Sequence, residues 1–343
     1  MTPAPDPALV ERFRRDLEAL TAVVPTPERK LGVAVSGGAD SLALLLLARA
    51  AYPDAIEAAT VDHGLRPEAG AEAALVHRLC TELDVPHEIL TRPDWIAIDA
   101  SDQQGARRLR YALLDLWAGG ATFADLRPWR VEWIATAHQQ DDVAESFLMR
   151  ARRGSGVGGL AAMPRVGPVP GLGSSERRLV RPLLDWSRAE LAGLVAEAAL
   201  EAVEDPSNHN PRYDRSRMRA LLAVTDELPP DRLARAARNL RDAEEALEWM
   251  AGREWATRSQ IEDHGIVWLD PAGLPHELRR RLVLRALDHV RFEFNLSAAI
   301  REQGVERLIA TLEAGGAATL GGVRAGAKHG RWRFCLAPAR RSH

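Results

Sequence analysis

Residues 31–49 read LGVAVSGGADSLALLLLAR. A short apolar run, Leu31 to Val35, breaks at Ser36-Gly37-Gly38, and a second apolar run opens after Ala39 at Asp40-Ser41. The first has the character of a strand buried on both faces of a parallel sheet, and the Leu- and Ala-rich second that of a helix. Two glycines between them admit dihedrals closed to other residues and let a ligand approach the main chain. The helix start offers unpaired N–H groups and a positive dipole end, which suits a phosphate. A nucleotide loop of the GxxxxGK[ST] kind would add a lysine for the β/γ-phosphates. This loop has none, so Mg²⁺ and basic side chains from elsewhere must supply that charge. An isolated Ser-Gly-Gly reads equally as a turn capped by Asp40 or Ser41. The full string Ser36 to Ser41 in a strand–helix frame points to phosphate.

The pattern repeats outward from this point. AIEAATVDHGLR (55–66) is a strand ending in Asp62-His63-Gly64, AGAEAALVHRLCTEL (69–83) is helical, and HEIL (87–90) is a third strand. A helix is expected around 106–118, a strand running into a helix over 131–153, and a last strand at RLVRPLL (178–184). Alternating β and α elements at this spacing predict a doubly wound parallel α/β sheet. Ligands of such sheets sit at the carboxyl ends of the strands, where SGGADS, DHG and AHQQDD all fall. The Gly- and Pro-rich stretch 154–177 reads as a loop near that face, and Ser187 with Glu190 as a capping box. Residues 230–258 read as one long helix with Arg232, Arg235, Arg238 and Arg241 in a stripe. A basic helix follows near 276–290, and the tail ATLGGVRAGAKHGRWRFCLA reads as a hairpin. We place the main boundary at 225: a catalytic α/β domain over 1–225, then a mainly helical domain with a small β tail over 226–343.

Composition narrows the class. The chain has 343 residues, 46% of them hydrophobic, enough for two or three domains with real cores. No apolar run is long enough to span a bilayer, and the N-terminus lacks a basic-then-apolar signal, so a cytoplasmic location is expected. Cys80 and Cys335 are the only cysteines, which argues against a disulfide framework or a cysteine-held metal. The net charge of −3 does not mark a nucleic-acid binder, so any such surface must be local. Basic residues are nearly all arginine, Lys30 and Lys328 being the lysines.

Two further stretches carry candidate chemistry. AHQQDDVAES supplies His138, Asp141, Asp142 and Glu145, whose three- and four-residue spacings put carboxylates on one face near a helix start. Acids at a helix N-terminus are common on solvated helices, and His138 could equally be a core histidine. Placed after a buried strand of the same sheet, the cluster suits Mg²⁺ or a cationic substrate. ARRLRY (106–111) puts Arg107 and Arg110 on one helix face. They read as snorkelling surface arginines or as neutralisers of a polyphosphate, which a loop without lysine requires. Asp62 and His63 read as a turn, or as metal or phosphate contacts at a strand end.

SGGADS is similar to the pyrophosphate loop of the N-type ATP pyrophosphatases. With it, VDHGLR, ARRLRY, AHQQDDVAES, RRGSGVGGL, RPLL and EDPSN followed by RYDRSRMR stand in the order found in tRNA(Ile)-lysidine synthetases. The resemblance covers about residues 30–220 and is weak over the tail; Ser146 stands where threonine is more usual. It implies an adenine nucleotide alpha-hydrolase-like fold and a ligase joining lysine to C2 of the wobble cytidine of a CAU-anticodon isoleucine tRNA. The cytidine O2 would attack the ATP α-phosphate, releasing pyrophosphate, and the lysine ε-amine would then expel AMP.

On that resemblance Ser36, Gly37, Gly38, Ala39, Asp40 and Ser41 cradle phosphates, with Asp62 and His63 beside them. Asp40 and Asp62 hold Mg²⁺, and Arg107 and Arg110 steady developing charge. His138, Asp141, Asp142 and Glu145 take the lysine and its proton. Arg152, Arg215, Arg217 and Arg219, within basic stretches at 150–153, 212–241 and 279–285, grip the tRNA, which the domain over 226–343 is expected to contact. ATP, free lysine and the tRNA are the expected partners, with no membrane. A tRNA thiolase of the same superfamily would need a cysteine pair or cluster that Cys80 and Cys335 do not supply. A non-catalytic nucleotide-binding module would leave the acid cluster and ARRLRY without purpose.

Overall fold

The computed structural model describes residues 3–64, 68–98, 103–119, 131–170, 177–203, 212–297, 300 and 302–338. Within these the chain forms two compact units, Met1–Arg241 and Asp242–His343. The division falls inside a long helix rather than in the turn ahead of it.

The first unit runs α1 (Pro7–Thr21), β1 (Leu31–Ala34), α2 (Ala39–Ala51), β2 (Ile56–Asp62), α3 (Ala69–Glu82), β3 (His87–Thr91), α4 (Gln103–Ala118), β4 (Trp133–Ala135) and α5 (Gln140–Ala151). It continues through α6 (Val157–Leu160), β5 (Val166–Pro168), β6 (Arg178–Val180), α7 (Arg188–Glu197), α8 (Asp214–Ala223) and the start of α9 (Pro230–Arg258). Its six strands form one sheet in the order β3-β2-β1-β4-β6-β5. Every pairing is parallel except β5 with β6. The order turns at β1, with β2 and β3 on one side and β4 and β6 on the other, so the crevice at the carboxyl end of β1 is the switch point where this architecture binds ligands.

The core explains why β1 and α2 sit at the centre. Leu31 and Val33 are buried, and α2 is apolar nearly all round, with Leu42 to Ala48 within the core. A helix buried on every side needs helices on both flanks, which α1 and α7 supply. Gly32 is fixed by close approach: a Cβ there would stand 2.5 Å from Val131 Cγ1 and 2.9 Å from the Trp117 ring. At α7, Ser187 Oγ accepts from Glu190 N while Glu190 Oε2 accepts from Ser187 N at 2.7 Å, the expected capping box.

The stretch read as a loop, 154–177, contains α6 and β5, although 171–176 lie outside the described residues. So do 204–211, which hold the EDPSN motif, and Leu65 and Arg66 of VDHGLR.

The second unit holds the end of α9, β7 (Ser259–Glu262), β8 (Ile266–Leu269), α10 (His276–Glu293), α11 (Glu302–Glu313), β9 (Ala317–Leu320), β10 (Val323–Lys328) and β11 (Arg331–Leu336). Its sheet is antiparallel, in the order β7-β8-β11-β10-β9. The expected tail hairpin is β10–β11, and three further strands extend it. Val267, Leu269, Val323, Ala325, Trp332 and Phe334 turn one face of this sheet onto Leu282, Val283, Ala286, Leu287 and Val290 of α10 and Leu308 and Leu312 of α11.

Candidate active site

Three loops leave the carboxyl ends of adjacent strands β2, β1 and β4, and these carry the sequence-predicted residues. The first is Ser36–Ser41. Gly37 has φ +87°, a left-handed conformation that costs a side-chain-bearing residue about 1–2 kcal/mol. A Cβ there would also stand 3.0 Å from Val203 Cγ2 and 3.2 Å from Val76 Cγ2. The Gly37 carbonyl accepts from Val203 N at 2.9 Å, tying the loop to the chain after α7. Ser41 is as much a loop brace as a ligand group: its Oγ donates to Gly38 O at 2.8 Å and accepts from Ser36 N at 3.1 Å. The α2 helix starts from Gly38 with no side-chain cap, so its first N–H groups stay open to an anion.

Asp40 lies in the first turn of α2. Burial, and then the charge of Asp142, push its carboxyl up to about 6, while Arg188 acts in the opposite sense. The two acids read separately from the sequence therefore interact across the β1–β4 crevice. Asp62 Oδ1 accepts from Gly64 N at 2.8 Å, closing the turn after β2, and His63 Nε2 stands 3.4 Å from Arg110 Nη2.

After β4 the chain enters α5 through a cap built from the candidate residues. Gln139 is the N-cap; its side chain accepts from Asp141 N, and Asp142 Oδ2 accepts from Gln139 N at 3.2 Å. One oxygen of Asp142 is thus structural. The other meets Arg215 Nη2. Asp141 Oδ2 accepts from the backbone N–H of Arg188 at 3.0 Å.

Glu145 is fully buried and receives three guanidinium groups: Arg188 Nη2 at 2.8 Å, Arg215 Nε at 2.8 Å and Arg219 Nε at 2.9 Å. Burial alone would raise its pKa, but the hydrogen bonds and charges of these arginines outweigh it, and the net shift is downward. Asp142 moves the other way, burial exceeding the effect of Arg215. Neighbouring acids on one helix face are thereby driven apart in proton affinity, a pattern that separates roles.

Two of the expected tRNA-gripping arginines, Arg215 and Arg219 on α8, are these inward ligands of Glu145. Arg217 turns instead to Asp214, which also receives Arg152 at 3.4 Å and Arg153 at 2.7 Å.

His138 accepts or donates at Thr136 Oγ1, 2.9 Å from Nδ1. Burial, and then the positive charges of Arg181, Arg107, Arg215 and Arg110, hold its pKa well below the ordinary value, so it is a neutral imidazole. With Arg215 paired to Asp142 and Glu145, the positive charges of Arg181, Arg107 and Arg110 that act on this neutral ring suit a polyphosphate. Arg107 also lies over the Tyr111 ring at 5.0 Å. The sequence reading missed Arg181, buried and bound to the Pro164 carbonyl at 2.6 Å, and Arg188. Each had a signal, Arg181 within RPLL and Arg188 directly after the Ser187 cap.

The donors near the loop are carboxylate oxygens, the type Mg²⁺ takes. The charge of Asp142 raises the proton affinity of Asp40, so the two carboxylates face a common space. Among the described residues no group of three His, Cys, Asp or Glu converges on one point. Mg²⁺ fits such a site, because it binds through one or two carboxylates with phosphate oxygens and water.

Residues 9–225 match the PP-loop domain family. Over 332 residues the chain is 43% identical to the tRNA(Ile)-lysidine synthase of Novosphingobium aromaticivorans, covering 96% of this chain and 94% of that one. The tRNA(Ile)-lysidine synthase of Zymomonas mobilis is 42% identical, with 97% and 96% covered. A U34-tRNA thiolase from Methanococcus maripaludis superposes with a TM-score of 0.51 at 17% identity, over 68% of this chain and 80% of that one, a likeness of fold. The chain belongs to the PP-loop family and, within it, to the tRNA(Ile)-lysidine synthases.

Proposed function

We propose that the chain forms lysidine on tRNA(Ile), joining the ε-amine of lysine to C2 of the wobble cytidine of a CAU anticodon at the expense of ATP. The convergence that carries this reading is a phosphate loop, an arginine-lined recess and an acid cluster at the carboxyl ends of adjacent strands. In the first step the cytidine O2 bonds to the α-phosphorus and pyrophosphate leaves with the electrons of the α–β bond. The N–H groups of Gly38, Ala39 and Asp40 hold the phosphates, and Arg107, Arg110 and Arg181 balance the charge that a loop lysine would otherwise meet. Mg²⁺, held by Asp40 and Asp62, would neutralise phosphate oxygens and draw charge from the leaving pyrophosphate.

In the second step the amine attacks C2, the C2–O bond breaks and AMP leaves. The ammonium must first lose a proton. Asp142, with raised proton affinity, suits accepting it, with Asp40 next to it. Glu145 does not: three guanidiniums hold it ionised, and its role is to position Arg188, Arg215 and Arg219. Asp141 fixes the start of α7. The remaining basic groups, Arg152 and Arg217 among them, lie nearer the surface, where an RNA backbone would pass.

The test is to supply ATP, lysine and a CAU-anticodon transcript and follow pyrophosphate. Release is expected only with the transcript, and a transcript whose wobble cytidine is replaced by uridine is expected to give none. Release without RNA would overturn the reading.

A further inference from the structure

Near the amino ends of β1, β2 and β3, the end of the sheet away from the phosphate loop, two histidines face each other. His77 is exposed on α3, and His87, half-buried, is the first residue of β3, the edge strand of the sheet. Their Nδ1 atoms stand 3.0 Å apart, while the ring centres are 5.3 Å apart and the ring planes tilted by 48°. The rings are therefore not stacked; they meet nitrogen to nitrogen. The reaction proposed above uses neither residue.

The tautomer of His87 follows from its other nitrogen. Nε2 lies 2.9 Å from Thr60 Oγ1 on β2, and that hydroxyl gives its one proton to the Val35 carbonyl at 2.8 Å. Thr60 can only accept from His87, so Nε2 carries the hydrogen and Nδ1 presents a lone pair to His77. Burial, and then the neighbouring His77, lower the pKa of His87 to about 4, which keeps the ring neutral near pH 7. A neutral imidazole whose far N–H is held by a protein oxygen is the arrangement found in metal-ligating histidines. His77, being exposed, can carry its own hydrogen on Nε2, and both Nδ1 lone pairs then become available to one cation.

Distance and surroundings fit such an ion. Metal–nitrogen bonds of about 2.0–2.1 Å, opened by about 90–110°, separate two imidazole nitrogens by about 2.9–3.4 Å. The observed 3.0 Å falls within that window. Beside the pair is a cavity of about 440 Å³, lined also by Lys30, Asp54, Thr81 and Asp84. It has room for the waters that complete a coordination shell, and two carboxylates border it. Among the described residues no third His, Cys, Asp or Glu converges with the pair, so the remaining positions fall to water. Phosphate is the poorer guest, because the half-buried histidine is neutral and the bordering acids repel an anion.

We infer that His77 and His87 form a site for a divalent transition-metal ion of the kind imidazole suits, zinc, nickel or copper, which pins α3 to the edge strand β3. The site is separate from the Mg²⁺–ATP chemistry, whose cation takes oxygen ligands. It does not depend on the proposed reaction, so its failure leaves that reading untouched.

The test uses the untagged full chain, stripped of metal with a chelator, and Zn²⁺ alone. Calorimetric titration of the parent is expected to show a saturable site that His77→Gln abolishes. Thr60→Val keeps both imidazoles and removes the oxygen that orients His87, and is expected to weaken Zn²⁺ binding about 10–100-fold. With Zn²⁺ at about tenfold its Kd the parent should melt about 3–5 °C higher than without it, and His77→Gln should show no rise. One arm needs no variant to fold. In the parent labelled with ¹⁵N-histidine, substoichiometric Cu²⁺ should broaden the imidazole signals of His77 and His87 before those of the other histidines. Equal Zn²⁺ affinity and melting rise in the parent, His77→Gln and Thr60→Val overturn the inference. So does broadening that begins at other histidines, or inorganic phosphate moving the two imidazole signals where Zn²⁺ does not.

Discussion

The Nη2 atom of Arg188, at the first turn of α7, lies 2.8 Å from Oε1 of Glu145, a carboxylate of α5 with no solvent exposure. With Arg215 and Arg219 on the same carboxylate, helices α5, α7 and α8 meet at one buried charge. Removing that charge takes the carboxylate partner from Arg219 and leaves Arg188 and Arg215 only Asp141 and Asp142. Glu145→Gln is therefore expected to destabilise the first unit by about 2–3 kcal/mol, below the 3–5 of fully enclosed pairs because the arginines are about one-third exposed. Urea unfolding measures it, and a loss under about 0.5 kcal/mol would show that the arginines find other partners.

The proton affinities of the two carboxylates predict a different outcome at Asp142. Asp142→Asn keeps a side chain able to cap Gln139 while removing an acceptor for the lysine proton. Cytidine adenylation is expected to continue and lysine transfer to slow by about 10²-fold, so that adenylated tRNA accumulates. Single-turnover measurement of pyrophosphate release and lysine incorporation on one sample separates the steps. Equal slowing of both would assign Asp142 to Mg²⁺–ATP.

Asp40 titrates at about 6 in the folded chain against an ordinary 3.8. The folded state thus holds this proton more tightly than the unfolded one. The associated stability is complete below the ordinary value and lost as pH rises through about 6. Asp40→Asn is expected to unfold at higher denaturant than the parent at pH 7 and to lose that advantage near pH 4, while releasing no pyrophosphate at either. An advantage that grows toward low pH would contradict the assigned shift.

At Gly37 a substitution meets both backbone and packing. Gly37→Ala combines φ +87° with a Cβ 3.0 Å from Val203. It is expected to cost about 1–2 kcal/mol and to weaken ATP binding, because the loop must shift to admit the methyl group. Gly38→Ala, whose Cβ would find its nearest neighbour at 3.8 Å, is expected to cost less in stability. Equal losses at the two positions would show that the loop is not held by Val203.

Much of this was legible in the sequence, because the strand–helix periodicity, the glycine pair and the capping box are local signals. LGVAV followed by SGGADS announced the central strand and the glycine loop that leads from its carboxyl end into α2. Ser187 with Glu190 announced the start of α7. The short strands β7 and β8 were not legible. SQIE follows a long helix without a break, and IVWL alone does not distinguish a strand from a helix segment. The arginines were misleading for a related reason. Spacing put Arg215 and Arg219 on a basic helix, but only the fold brings Glu145, far away in sequence, against them. The same is true of Arg281, whose partners Glu244 and Glu248 lie on α9.

The central claim is that ATP is spent to place lysine on a cytidine, and mass analysis of the digested tRNA after reaction tests it most directly. The account predicts one cytidine per tRNA(Ile) gaining the mass of a lysine residue, at the wobble position, with one AMP and one pyrophosphate formed for each. Pyrophosphate formed with no lysine-bearing nucleoside, or a sulfur-bearing one in its place, would contradict it.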